Sequence, residues 1–304
     1  MDTSWHTYPK VYALGHAAVA NLFDGPVVVQ EKVDGSQFSF GIFNGTLKCR
    51  SKGKEQDPDA PDQMFTHALE TVHAIKGKLV HGWTYRGEYL QKRKHNALCY
   101  DRVPNGHIIL FDINDNHESY LPPAKVRDEA LHLGLECVPT LATLGHQPSM
   151  DDLNAWLDIE SILGGHKIEG VVIKNYTQFG ADKKALMAKF VSEAFKEKHA
   201  KVWGEQNKSH KDIVADIVDV YCNENRWAKA VQHLREVGVL EGSPRDIGLL
   251  IKEIPADILD ECEDEIKELL FRHFWKQISR GVVIGIPEWY KRRLAESALT
   301  PASA

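Results

Sequence analysis

The hydrophobic pattern of this chain changes its period once, near residues 195 to 210, and that change limits the fold more than any other feature. Before it, short strand-like apolar runs dominate, at residues 26–30, 37–43, 107–113 and 170–174. Asn44-Gly45, between Phe43 and Thr46, is a hairpin signal, because a tight two-residue turn needs side chains that accept positive φ. Helical stretches intervene at 62–75, where Met64, Phe65, Ala68, Leu69 and Val72 fall on one face, and at 124–133. Hairpin-linked strands with occasional helices predict an α+β domain built on antiparallel sheet.

Beyond about residue 205 the period is helical. Ile213, Ile217, Val220 and Tyr221, then Trp227, Val231 and Leu234, repeat three to four apart until Gly238, which reads as a C-cap. Ser243-Pro244 reads as an N-cap with proline at the first helical position. Pro255 is expected to interrupt the next helix, which resumes through Ile266, Leu269, Leu270 and Phe274 and stops at Gly281. Pro287 opens a final helix carrying Trp289, Tyr290 and Leu294. The expected organisation is a domain at 1–204 and a small all-helical one at 205–304.

Length and composition bound this picture. A chain of 304 residues, 43% hydrophobic and 26% charged, belongs with globular rather than disordered or membrane-spanning chains. The five cysteines are scattered without a C-x-x-C pair, which argues against a disulfide framework or structural zinc and fits a reducing, cytoplasmic setting. A formal charge of −6 is unusual for a protein that grips phosphates. The charge is unevenly spread, however: acids crowd 257–265, while bases crowd 92–95 and 183–201.

Glu31-Lys32-Val33-Asp34-Gly35-Ser36 carries the strongest chemical signal. It lies between two strand-like runs, so Lys32 falls at a strand end or turn, with Gly35 permitting tight backbone geometry. A lysine attacks phosphorus only as the neutral amine, so an active Lys32 needs surroundings that lower its pKa. Further elements follow in order: Lys48-Cys49-Arg50-Ser51-Lys52; Arg86-Gly87-Glu88-Tyr89-Leu90; Leu110-Phe111-Asp112-Ile113; Glu169-Gly170-Val171-Val172-Ile173-Lys174; and Met187-Ala188-Lys189-Phe190. Singly each has an ordinary reading, as a polar turn, an edge-strand charge or a strand-end lysine. The Glu169 to Lys174 spacing is odd, so a regular strand would send the two side chains to opposite faces, and a bend near Glu169 is needed for both to meet one ligand.

Together these elements resemble the covalent nucleotidyltransferase superfamily of polynucleotide ligases and capping enzymes, and within it the RNA ligase 2 type. The resemblance covers nearly the whole chain, and the helical tail is what sets it apart from relatives with an OB fold there. It implies an ATP-grasp-like nucleotidyltransferase domain followed by helices, and an ATP-dependent enzyme that joins a 3'-hydroxyl to a 5'-phosphate in RNA or an RNA-containing duplex. By resemblance Lys32 is the nucleophile that takes AMP. Glu31, Asp34 and Gln37 belong to the nucleotide site, with Arg50 (or Lys52) on phosphate, Glu88 on ribose and Phe111 stacked on adenine. Asp112, Glu169 and Glu88 serve magnesium, with manganese as the alternative metal, and Lys174 and Lys189 reach the α-phosphate. Two departures stand out: Met187 replaces the first lysine of a K-x-K pair, with Lys183 or Lys184 as substitutes, and Ser36-Gln37 replaces a Thr-Asn pair. A monomer without membrane attachment is expected. The alternatives are an ATP-dependent DNA ligase and an inactive nucleotide- or RNA-binding module.

Overall fold

The computed structural model describes residues 4–96, 98–191 and 213–299. Twelve strands are β1 (Tyr12–Ala13), β2 (Val27–Lys32), β3 (Ser36–Phe43), β4 (Thr46–Ser51), β5 (Glu55–Gln56), β6 (Thr84–Tyr89), β7 (Ile108–Asn116), β8 (Ser119–Tyr120), β9 (Glu136–Cys137), β10 (Thr140–Leu144), β11 (Gly170–Phe179) and β12 (Ala185–Val191). Helices α1 (Thr66–Ile75), α2 (Pro123–Leu133) and α3 (Met150–Leu157) lie among them. The tail carries α4 (Ile213–Tyr221), α5 (Glu224–Val237), α6 (Ile247–Gly281) and α7 (Ile286–Leu299). The expected boundary at 204/205 and part of the basic stretch 183–201 fall outside the described residues. No described helix is long and apolar enough to cross a membrane.

The strands form two mainly antiparallel sheets. One runs β1-β12-β11-β2-β10, the other β5-β4-β3-β6-β7-β8 with β9 parallel to β7. Alternation decides what each buries. Val27, Val29, Val171, Ile173 and Ala188 pack into one core behind the first sheet. The opposite face of that sheet carries Val28, Gln30, Lys32, Val172 and Lys174. In the second sheet Phe38, Phe40, Cys49, Tyr85 and Tyr89 face a core shared with α1 and α2, through Leu69, Val72, Val126 and Leu133. Its other face carries Gln37, Ser39, Arg50, Arg86 and Glu88, directly paired across strands as Gln37 with Glu88 and Ser39 with both Arg50 and Arg86. The polar faces meet: Lys174 of the first sheet binds Asp112 of the second at 2.9 Å.

The tail is helical, and two expected caps are present. Gly238 closes α5 in the left-handed region at φ 74°, and Ser243 forms a capping box with Asp246 ahead of α6. Pro255 does not interrupt α6, which runs continuously through it. A proline inside a helix forfeits one N–H bond and costs about 3 kcal/mol. Here the turns that follow the proline are fastened by Arg226, which binds Asp257 at 3.1 Å and Glu261 at 3.0 Å, and by Lys229, 2.6 Å from Glu261.

Candidate active site

Lys32 is the last residue of β2, where the chain leaves one sheet for the other. The crossing turn is built by Asp34, whose Oδ1 accepts from Asn96 and whose Oδ2 accepts from the Leu98 amide at 2.8 Å, while its own N–H donates to the Tyr100 hydroxyl. Asp34 therefore organises the turn rather than reaching out to a nucleotide. Gly35 is needed for close approach: a Cβ there would lie 2.6 Å from the Tyr89 carbonyl oxygen and 2.8 Å from the Glu88 side chain.

Lys32 Nζ donates to Glu169 Oε2 at 2.6 Å. Glu169 sits just before β11, which begins at Gly170 opposite Lys32, so it escapes the strand alternation that the odd spacing to Lys174 would impose. Glu88 and Asp34 also act on Lys32 electrostatically. Burial would lower the Lys32 pKa, but Glu169 and Glu88 outweigh it and hold the ammonium form above the usual lysine range. The expected depression of this pKa is thus not met. The Glu88 pKa rises as well: burial, with Glu169, Glu236 and Asp34 adding to it against Lys32, pushes its carboxyl up to about 8. An excess of carboxylates around one amine is an arrangement suited to cations and phosphates arriving together.

Lys189 joins this group. From β12 it pairs with Val172 of β11, feels both Lys32 and Glu169, and lies 3.5 Å from Glu261 of α6. Burial lowers its pKa and Glu261 opposes that. Met187 is fully buried, and its proposed substitutes point elsewhere: Lys184 donates to the Thr7 hydroxyl at 2.7 Å, and Lys183 is exposed. Gln37 and Arg50 lie on the cleft face of the second sheet, whereas Lys52 is exposed in the turn after β4. Burial lowers the Arg50 pKa. Glu31 departs from expectation. Alternation turns it away from Lys32, and its carboxylate accepts from Ser161 Oγ at 2.5 Å and the Ile162 amide at 3.1 Å.

Phe111 is the extra residue of a bulge: Arg86 pairs with Asp112 and Gly87 with Leu110, leaving Phe111 half-buried between them. Its ring lies 4.9 Å from Lys174 Nζ. Asp112 and Lys174 are not open ligands for metal or phosphate. Both are about 2% exposed or less, and Asp112 also accepts from the hydroxyls of Tyr176, at 2.6 Å, and Tyr8. They form a latch joining the two sheets. Among the described residues no cluster of three or more acidic, histidine or cysteine side chains forms a ready-made metal cage. Glu169 and Glu88 fit instead the sparse carboxylate set that a hydrated magnesium shares with substrate phosphates.

One contact of the Lys32 turn carries no sign in the sequence. Ser36 Oγ donates to Glu236 of α5 and accepts from Gln232 at 3.0 Å and from His95 Nε2 at 2.8 Å. The Gln91 amide donates to His95 Nδ1, which fixes the proton on Nε2. The helical tail thus closes over the Lys32 turn. Burial, opposed by Asp34, lowers the His95 pKa to about 4, so the fold requires the neutral ring. Stability from this group is complete above about pH 6.5 and is lost as pH falls toward 4, by about 2 kcal/mol between pH 6.5 and 5. Thermal melts at pH 7.5 and 5 should show this loss in the parent and a shallower one in His95→Gln; equal slopes would discount the contact.

A sequence model described as RNA ligase matches residues 25–191. Comparison with curated proteins gives no match. Among solved structures, a Naegleria gruberi RNA ligase with PPi aligns at 18% identity and TM-score 0.46, covering 64% of this chain and 58% of that one. A mutant of that ligase with ATP and Mn aligns at 17% identity and TM-score 0.47, again over 64% and 58%. This chain therefore spans 58% of the length of those structures. The family match takes in more than half of the sequence and runs from just before β2 to the end of β12, enclosing Lys32, Glu88, Glu169 and Lys189, and this chain belongs to the RNA ligase family.

Proposed function

We propose that this protein is an ATP-dependent RNA ligase that stores AMP on Lys32 and seals 3'-hydroxyl/5'-phosphate breaks in RNA-containing strands. The observation that carries this reading is the 2.6 Å contact of Lys32 with Glu169, beside which Glu88 and Lys189 also gather. Lys32 Nζ attacks the α-phosphorus of ATP; the N–P bond forms and the bond to pyrophosphate breaks. The AMP then moves to the 5'-phosphate of the strand, and the 3'-hydroxyl displaces it to close the phosphodiester.

The protein's work is mostly positioning and charge. Glu88, with its carboxyl protonated to about pH 8, presents a donor and an acceptor to a ribose. Lys189 and Arg50 supply cations on facing walls of the cleft. Glu169 must give up its bond to Lys32 for the amine to become neutral, and a divalent cation beside Glu169 supplies that charge compensation when bound. The tail, fastened to Ser36 through Glu236, would hold the strand ends over the Lys32 turn.

The test is sealing of nicked duplexes that carry RNA or DNA on the 3'-hydroxyl side, of a bridged RNA break and of a single-stranded RNA end, each with ATP and magnesium. ATP-dependent closure of an RNA-containing break is expected. Closure of all-DNA nicks alone would make the chain a DNA ligase, and RNA binding without closure of any substrate would make it a binding module.

A further inference from the structure

From Ile254 to Val282, at the C-cap, every fourth residue of α6 is apolar. Residues four apart form a ridge along a helix, the feature by which helices most often interlock. The first three, Ile254, Ile258 and Cys262, are half-buried or buried, where α4 and α5 pack on the helix. Arg226 of α5 donates to Cys262 Sγ at 3.0 Å. The ridge then runs on through Ile266, Leu270, Phe274, Ile278 and Val282, a length of about 24 Å. That second half is open: from Phe271 to Tyr290 every residue but Ser279 is exposed. Helices draw most of their stability from packing an apolar face, so a bare ridge of this length calls for an occupant.

The charges beside the ridge indicate which occupant fits. Glu263, Glu265 and Glu268 precede its midpoint, Phe274, while Lys276 and Arg280 follow it. Of the cations before the midpoint, Lys267 is held by Glu263 at 2.9 Å and Arg272 by Glu268, both within the helix. Two such helices laid antiparallel about a two-fold axis at Phe274 oppose Leu270 to Ile278, Ile266 to Val282 and Glu268 to Arg280. A parallel pair would oppose like charges. The exposed area is sufficient as well. Phe271, Phe274, Trp275, Ile278 and Val282 are each 41% to 70% exposed. A ring buries about 150–250 Å² in full, so two copies together cover about 1,000 Å², the size at which specific interfaces begin. A nucleic acid would use the cations and rings but gain little from the aliphatic ridge. We infer that the second half of α6 is a self-association surface through which two copies of this chain form a two-fold dimer, in place of the monomer expected from the sequence.

The experiment is sedimentation velocity of the full chain at about 1 to 100 μM, where an interface of this size populates its dimer. The parent should approach twice the 34.3 kDa of one chain. Phe274→Glu, which sets two carboxylates on the axis, should raise the dimer Kd by about 30-fold or more. Circular dichroism establishes that the variants are folded. Glu268→Arg and Arg280→Glu should each be monomeric, because like charges then meet across the axis. Mixing these two variants should restore a dimer, since each carries the charge that the other lacks. A parent that stays monomeric over the whole range overturns the assignment, as does a dimer that Phe274→Glu leaves intact or a mixture that fails to associate. A monomeric parent that binds single-stranded RNA, with the binding lost in Phe274→Glu, would give the ridge to RNA instead.

Discussion

Lys32→Ala is expected to take up no label from ATP labelled at the α-phosphate, whereas the parent protein becomes covalently labelled in the presence of magnesium. Removing a nucleophile leaves no second route to the phosphoramide, so the loss should be at least about 10³-fold. Lys32→Arg should fail equally, because a guanidinium does not give up its proton under these conditions. The ion pair with Glu169 adds a signature that a merely structural lysine would lack. Glu169 holds Lys32 in the charged form. Only the neutral fraction attacks, and below the pKa that fraction rises tenfold for each pH unit, so label uptake should climb steeply between about pH 6 and 9. Burst-phase labelling across that range checks the slope. Parent-level labelling of Lys32→Ala would assign the nucleophile elsewhere, and the whole functional reading would fall with it.

Much of this cleft can be read from sequence because its parts are local. The strand-like runs at 26–30 and 37–43 form as β2 and β3 and leave Lys32 at a strand end, and the hairpin at Asn44-Gly45 forms as expected, with both residues at positive φ. Alternation also foretells the difficulty between Glu169 and Lys174, and the structure resolves it by starting β11 one residue after Glu169. The partition of roles is harder. Asp112 and Lys174 look like ligands in a list of polar residues, and only the meeting of two sheets shows that they are consumed by one another. The bulge at Phe111 has no residue signature such as glycine or proline, since it arises from the register of β6 against β7.

The tail illustrates a second limit. Helical period identifies α4 to α7, but period reports amphipathy and says nothing about the partner of the apolar face. Phe271, Trp275, Ile278 and Trp289 fall on helical stripes and are exposed. Conversely, the contact that brings the tail to the site uses Ser36, Gln232 and Glu236, which carry no pattern, and it spans 200 residues of sequence. Pro255 was a breaker by local rule, and ion pairs from α5 override it.

Asp112→Ala is expected to destabilise the protein by about 3 to 5 kcal/mol, the loss typical of stranding one partner of a buried ion pair. That is a large share of the roughly 5 to 15 kcal/mol that holds an ordinary domain folded. Burial lowers the Lys174 pKa and Asp112 opposes that shift, so deleting Asp112 leaves Lys174 to shed its proton or to remain charged without an acceptor. The hydroxyls of Tyr176 and Tyr8 lose their acceptor at the same time. Lys174→Met alone should also cost several kcal/mol, since it strands the carboxylate. The double variant Asp112→Asn with Lys174→Met should lose less than the two single effects combined, because neither charge is then left buried alone. Urea unfolding without nucleotide or divalent cation reads these differences free of any catalytic role. A metal ligand facing solvent would leave that stability almost unchanged, within about 0.5 kcal/mol, and would affect only turnover. The latch also sets the spacing of the two cleft walls, so ATP affinity should fall together with stability in Asp112→Ala and recover in part in the double variant. Additive single effects, each below about 1 kcal/mol, would return Asp112 and Lys174 to the ligand roles that their motifs suggest.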